Sequence, residues 1–436
     1  MQVFVLDQHK KPLMPCHPAR ARELLKRGQA VVHKLTPFTI RLKGRVGGEV
    51  QPVRIKLDPG SKTTGIALVR EETFFSETGV AEKTAHILFL AELTHRGSKI
   101  RDRLTARRSF RRRRRSKLRY RAPRFDNRTR PQGWLPPSLQ HRVDTTMSWV
   151  NRIRKLSPVS GISQELVRFD LQKVDNPEIS GLEYQKGTLA GYEVREYLLE
   201  KWNRTCAYCG VKDVSFEIDH VLPRSKGGTD RVSNLTLACH KCNQKKGPRD
   251  ISEFLSKKPE TLKWILTQAK KPLKDAAAVN STRWALFEAL KKTGIKVDTG
   301  SGGKTKWNRT RFGLSKTHSL DAACVGDVDK VTNGDCSVLS VKATGRGSYQ
   351  RTRLDAFGFP RGFLTRTKAH FGFVTGDLVR AIVTKGKKIG AYLGRVAVRR
   401  SGSFNIQISG SVIQGISYKA CRRLQRADGY GYTVSH

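Results

Sequence analysis

The chain has 436 residues and sets 84 Lys and Arg against 37 Asp and Glu, a formal charge of +47. That length allows two to four domains with buried cores of their own, and its most apolar run, residues 86–93 (HILFLAEL), is far short of the ~20 residues a membrane-spanning helix needs. So large an excess of one charge resists compaction unless a polyanion offsets it, which points to nucleic acid and away from a membrane protein.

Residues 1–50 read as a small α/β unit. It has a strand at Val3–Leu6, a rigid turn at KKPLMP (10–15), a helix over 18–27 stopped by Gly28, and two strand pieces, VVHKL and FTIRL. Residues 51–95 carry IKLDPGSKTTGIALV, an apolar strand that ends on Asp58, a Gly-Ser turn and a returning strand. Taken alone, an Asp before Pro-Gly is turn chemistry. Residues 96–130 hold 15 Arg and two Lys against two Asp, including RRRRR at 111–115. Arg is a good helix former and no Pro or Gly interrupts residues 98–122, so a helix is expected, with a disordered basic tail as the alternative. Guanidinium forks there suit phosphates. The candidate contacts are Arg107, Arg108, Arg111, Arg112, Arg113, Arg114, Arg115 and Arg119.

A proline-rich loop at RPQGWLPPSL leads to a helix over 139–156 with Val143, Met147, Val150 and Ile153 on one side. A strand with Glu165 follows, in ISQELVRFDLQ, then a helix over about 189–202. After residue 247, KPETLKWILTQAK and VNSTRWALFEALKKTG form a helical return path. Residues 294–313 read as a strand, a glycine turn and a second strand. In SKTHSLDAACVG a helix places His318 and Asp321, three apart, on one face. Asp58, Glu165, Asp321 and His318 could therefore converge to clamp two divalent cations for phosphodiester hydrolysis. Beyond residue 329, short alternating strands rich in Gly suggest a small β-barrel. Its Lys385, Lys387, Lys388, Arg399 and Arg400 either touch phosphates or form a solvated face.

Residues 202–247 contain two Cys-x-x-Cys pairs, Cys206 with Cys209 and Cys239 with Cys242, at the spacing of a tetrahedral zinc site. Four cysteines close the coordination shell, so this zinc is structural and chemistry falls to Asp219 and His220, held between the pairs. His240 reads as an exposed helix-start residue and not a ligand. The other four cysteines follow no pattern and no secretory signal opens the chain, which makes a reducing cytosol the expected compartment.

The 202–247 segment resembles the HNH nuclease motif, a ββα-metal unit. The resemblance implies His220 as general base, Asp219 and Asn243 as holders of one Mg²⁺, and Asn234 as the loop brace. The Asp58, Glu165 and His318-x-x-Asp321 stretches resemble the split motifs of a RuvC nuclease, an RNase H-like fold that holds two Mg²⁺, and the arginine stretch resembles the bridge helix of RNA-guided nucleases. In this order they resemble IscB, the transposon-encoded family ancestral to the type II CRISPR effectors. The implied fold is α/β multidomain: an N-terminal PLMP domain (1–50), RuvC-like parts I (51–95), II (131–185) and III (266–328), the bridge helix (96–130), the HNH domain (186–265) and a C-terminal β-rich domain (329–436). That last domain would read the target-adjacent motif and bind guide RNA.

The implied function is Mg-dependent, RNA-guided DNA cleavage by a monomer carrying one omega RNA. HNH would cut the paired strand of a double-stranded target and the RuvC-like site the displaced one. An inert zinc ribbon, an unguided HNH endonuclease of the homing type and an idle RNA-binding scaffold are the alternatives.

Overall fold

The computed structural model describes residues 1–75, 81–115, 134–166, 195, 198, 199, 201–212, 214–230, 232–270, 274–345, 352–363, 367–408 and 410–435. Arg119, most of the helix expected over 189–202 and the second half of the arginine stretch lie outside them.

The N-terminal unit is a four-stranded sheet of β1 (Val3–Leu6), β2 (Pro12–Cys16), β3 (Ala30–Lys34) and β4 (Thr39–Leu42) in the order β2-β1-β4-β3, with helix α1 over Pro18–Lys26. The expected turn at KKPLMP is instead the edge strand β2, and the chain reverses earlier, where Asp7 Oδ1 accepts from Lys11 N at 2.8 Å. Edge position explains the tolerance: a proline there withholds an N–H that no neighbouring strand requires.

The central element is an eight-stranded mixed sheet. Strand β5 (Val53–Pro59) pairs antiparallel with β6 (Thr63–Phe75), and β6 with β7 (Ala81–Thr94). After α2 (Gly97–Arg115) and α3 (Pro137–Arg154), β8 (Val159–Glu165) runs parallel beside β5. Val53, Ile55 and Leu57 are fully buried, as strands covered on both faces require, and Trp149, Val150 and Ile153 of α3 pack into the same core.

The chain then leaves the sheet for a second core. Strands β9 (Phe216–His220) and β10 (Leu235–Cys239) form an antiparallel hairpin followed by α4 (His240–Lys246), α5 (Ile251–Phe254) and α6 (Pro259–Lys270). Helix α7 (Lys274–Lys291) leads back, and β11 (Lys296–Gly300) joins the sheet parallel to β8.

Residues 302–311 form helix α8 (Gly302–Arg311), where a second strand was expected. Ser301 decides this: its hydroxyl accepts from Lys304 N at 3.3 Å, so the Gly-Ser-Gly-Gly run starts a helix and does not close a hairpin. Helix α9 (His318–Ala323) follows, capped by Thr317.

The boundary placed at residue 329 falls inside the sheet. Strands β12 (Lys330–Thr332) and β13 (Val338–Ala343) both pair with β7, and β13 pairs in turn with the last strand, Tyr430–Ser435. Between them lie the hairpin β14 (Thr352–Leu354) and β15 (Pro360–Phe363), the short pair β16 (Ala369–His370) and β17 (Phe373–Val374), and an antiparallel sheet. That sheet comprises β18 (Leu378–Val383), β19 (Gly390–Ala397), β20 (Ser403–Ile408), β21 (Ser411–Ser417) and β22 (Cys421–Gln425). Its order is β21-β20-β19-β18-β22, an open sheet among the described residues where a barrel was expected. The terminal strand of the chain is β23. No described helix is long and apolar enough to cross a membrane.

One glycine sets how close α9 comes to the sheet. A Cβ on Gly65 of β6 would stand 1.7 Å from the backbone oxygen of His318. Gly65→Ala is expected to force α9 off the sheet and lower the thermal midpoint at a cost of about 3 kcal/mol, the upper part of the overpacking range. An unchanged melting curve would show that the contact is not required.

Candidate active sites

Two separate sites emerge. The first lies at the carboxyl ends of β5 and β8. These strands run parallel with Leu57 opposite Gln164, so the next residues, Asp58 and Glu165, are level with each other. Helix α9 crosses the same edge and adds His318 and Asp321. All four line one cleft of about 400 Å³ together with Lys62, Arg204, Arg283, Lys306, Arg309 and Lys316.

Each carboxylate there has its own basic neighbour. His318 Nδ1 lies 2.7 Å from Asp58 Oδ2. Arg283 Nη2 donates to Glu165 Oε1 at 3.0 Å, and its Nε donates to Pro59 O at 2.9 Å. Arg309 Nε lies 2.7 Å from Asp321 Oδ1, an ion pair without hydrogen-bond alignment.

Burial pushes the Glu165 carboxyl up to about 7, repulsion from Asp58 and Asp321 adds to this, and Arg283 and Arg204 oppose it. Asp321 is also raised, by burial and then by Asp58. The hydrogen bond to Asp58 raises His318 against the effect of its burial.

The oxygens of Asp58, Glu165 and Asp321 do not all come within 4.8 Å of one another, so the expected sharing of cations is not pre-assembled. Their chemistry nevertheless fits Mg²⁺: three carboxylates in one cleft supply only hard oxygen donors.

The second site sits on the ββα unit. His220, at the end of β9, has Nε2 2.7 Å from Asp230 Oδ1, and Asp230 is itself held by Arg224. Asn234 ties down the intervening loop: its Oδ1 accepts from Leu222 N at 2.8 Å, and its Nδ2 donates to Leu222 O at 2.9 Å and Thr229 O at 2.8 Å.

Asp219 is buried, with Oδ2 on the Tyr208 hydroxyl and Oδ1 3.0 Å from Lys246 Nζ. Asn243 Nδ2 donates to Glu217 Oε2 at 2.6 Å, and His240, the exposed first residue of α4, bonds the other Glu217 oxygen at 2.7 Å. No hydrogen bond links Asp219 to Asn243 among the described residues. With both oxygens of Asp219 engaged, that pair does not fit a metal ion as placed.

Sequence reasoning missed Arg283, Arg309, Asp230, Tyr208, Glu217 and Lys246. Arg283 carried a legible signal: Thr282, Arg283, Leu286 and Leu290 form the buried stripe of α7, and a buried Arg needs an anionic or carbonyl partner.

Of the eight expected nucleic-acid contacts, Arg107, Arg108, Arg111, Arg112, Arg113 and Arg115 are exposed on α2. Arg114 belongs to the same helix, and Arg119 lies outside the described residues.

Among the described residues, the four cysteines are the group whose metal-binding atoms all lie within 4.8 Å of one another. Sulfurs about 2.3 Å from a common zinc stand about 3.8 Å apart, and Cys209 Sγ is 3.8 Å from Cys239 Sγ. The donor set therefore fits a closed structural zinc. Elemental analysis is expected to give one zinc per chain, lost in Cys209→Ser/Cys239→Ser, with the ββα unit destabilised by several kcal/mol and melting earlier. A zinc-free chain with an unshifted melt would refute the site.

Residues 3–187 match the family model described as RRXRR protein, and residues 206–249 match the model described as HNH endonuclease. A CRISPR-associated endonuclease Cas9 of Corynebacterium diphtheriae is 43% identical over 53 residues, 11% of this chain and 5% of that protein. Streptococcus thermophilus Cas9, solved in complex with the GGAA PAM, is 15% identical with a TM-score of 0.24, over 60% of this chain and 32% of that one. The Type II-C Cas9 enzyme from Actinomyces naeslundii is 16% identical with a TM-score of 0.16, over 46% and 30%. The chain thus spans a small part of the curated relative and about a third of these structures, and TM-scores of this size carry no argument about the fold. Residues 206–249 form an HNH endonuclease domain, inserted in sequence between β8 and β11 of the carboxylate-bearing sheet.

Proposed function

We propose that this protein is an RNA-guided DNA endonuclease of the IscB kind, working in a prokaryotic cytosol as one chain with one guide RNA. The carrying observation is that Asp58 and Glu165 stand level at the carboxyl ends of two parallel strands, with His318 and Asp321 in the same cleft, in a chain that also holds an HNH domain. A second carboxylate centre is superfluous to an unguided HNH enzyme that acts alone. It suits an enzyme that must cut two strands at two places.

In this reading the mixed sheet is the RNase H-like core, and α2 is the bridge along which the arginines grip phosphates. The cleft mouth is cationic through Lys62, Arg204, Lys306 and Lys316, which draws in a phosphodiester despite the acids behind it.

Asp58, Glu165 and Asp321 are the residues that would hold divalent cations, which when bound activate water and offset charge on the leaving oxygen. Arg283 keeps Glu165 in place between β8 and the end of β5, and His318, held by Asp58, is the proton acceptor at the cleft. HNH nucleases are metal-dependent. Since the described contacts do not assemble Asp219 with Asn243, the chemistry assigned to that unit rests on His220. With Nε2–H donated to Asp230, its Nδ1 keeps the lone pair that takes the proton from water.

Guidance is the part of the proposal that composition supports. A charge of +47 exceeds what a short DNA footprint offsets, and base pairing by a bound RNA would supply the sequence recognition.

Protein purified with its RNA, given Mg²⁺ and a matched duplex, is expected to break both strands. His220→Ala should leave the paired strand intact and Asp58→Ala the displaced strand, each slowing its own cut by about 10²-fold or more. Undiminished cutting after ribonuclease treatment would refute guidance, and loss of both cuts in either variant would refute two independent sites.

A further inference from the structure

The hairpin of β14 and β15 carries FGFPRGF across its turn and second strand. A hairpin that hid its aromatics would be ordinary. Here Phe357, Phe359 and Phe363 are 49%, 48% and 83% exposed.

The turn is nonetheless built to hold its shape. Asp355 Oδ1 accepts from Phe357 N at 2.9 Å and from Phe359 N at 2.8 Å, and its Oδ2 lies 3.6 Å from Arg361 Nε. Gly358 has φ +88°, and a Cβ there would stand 2.9 Å from Phe110 of α2. The guanidinium of Arg113 lies 4.2 Å from the centre of the Phe357 ring. The hairpin is therefore seated on the arginine helix, with Phe357 against it and Phe359 and Phe363 turned toward solvent beside exposed guanidiniums, Arg361 on its own strand included.

Large apolar rings left in water on a rigid turn are costly unless a partner covers them. The surrounding positive charge selects a polyanion, and rings amid guanidiniums match the π-faces and phosphates of unpaired nucleotides. From this we infer that the hairpin is a stacking platform for unpaired bases of RNA, extending the arginine helix from a phosphate grip to a base grip. The inference rests on the RNA-guided reading for its choice of RNA.

The test uses the full chain and three fluorescein-labelled probes: an oligouridylate, an oligothymidylate of equal length and a duplex RNA. Phe359→Ala/Phe363→Ala is expected to weaken oligouridylate binding tenfold or more, with an unchanged salt slope, unchanged duplex affinity and an unchanged melting curve. Phe359→Tyr/Phe363→Tyr should restore the affinity, since a ring is restored. The platform is overturned if the alanine pair leaves oligouridylate affinity intact, if duplex RNA weakens equally, or if only oligothymidylate responds. RNA that co-purifies equally well with the alanine pair, while its oligouridylate affinity is unchanged, would sink the platform and leave the guided reading standing. A wild-type chain that neither retains RNA nor binds the oligouridylate would overturn both.

Discussion

The buried pair of Arg283 with Glu165 organises the candidate cleft. Its guanidinium reaches the carboxylate at the end of β8 and the Pro59 carbonyl at the end of β5, while Gln164 Nε2 holds the Arg283 carbonyl at 2.9 Å. Three chain segments, separated by more than two hundred residues between Pro59 and Arg283, are locked to one edge of the sheet by these contacts. Breaking a buried ion pair by removing one partner leaves the other charge stranded, at a cost of about 3–5 kcal/mol. The acids are thus held in one cleft by their basic partners.

The HNH domain is joined to the same edge. It enters the chain after β8 and returns through α7, the helix that carries Arg283. Arg204, at the foot of the domain, lines the carboxylate cleft and opposes the rise in the Glu165 pKa. The two sites are distinct in chemistry: one is built from carboxylates with guanidinium partners, the other from an imidazole braced by Asp230. The four cysteines near the second site would, with zinc bound, hold the ββα unit together without offering a position for water.

Much of this was legible in the residues. The paired Cys-x-x-Cys spacing, the strand ending on Asp58 and the His318-x-x-Asp321 helix each state a local geometry in a few residues, and short-range geometry is what a sequence records best. Partnerships across long separations were not legible: nothing local to Asp321 announces Arg309, and Tyr208 and Lys246 meet Asp219 only after the hairpin folds onto α4. Competing local rules explain the other differences. A serine cap turned an expected hairpin into α8, and an edge position let Pro12 and Pro15 sit in a strand. β13 and β23 look like members of a separate C-terminal unit because they are near it in sequence, while pairing carries them into the central sheet.

If the protein cuts as proposed, Asp58, Glu165 and Asp321 bind divalent cations as one centre with Arg283 still bracing Glu165. Crystals of the full chain soaked in Mn²⁺ and measured at the manganese edge test it most directly. Anomalous density among those three carboxylates, absent from crystals of Glu165→Gln, is the expected result. Ordered manganese elsewhere in the chain with none in this cleft would contradict it.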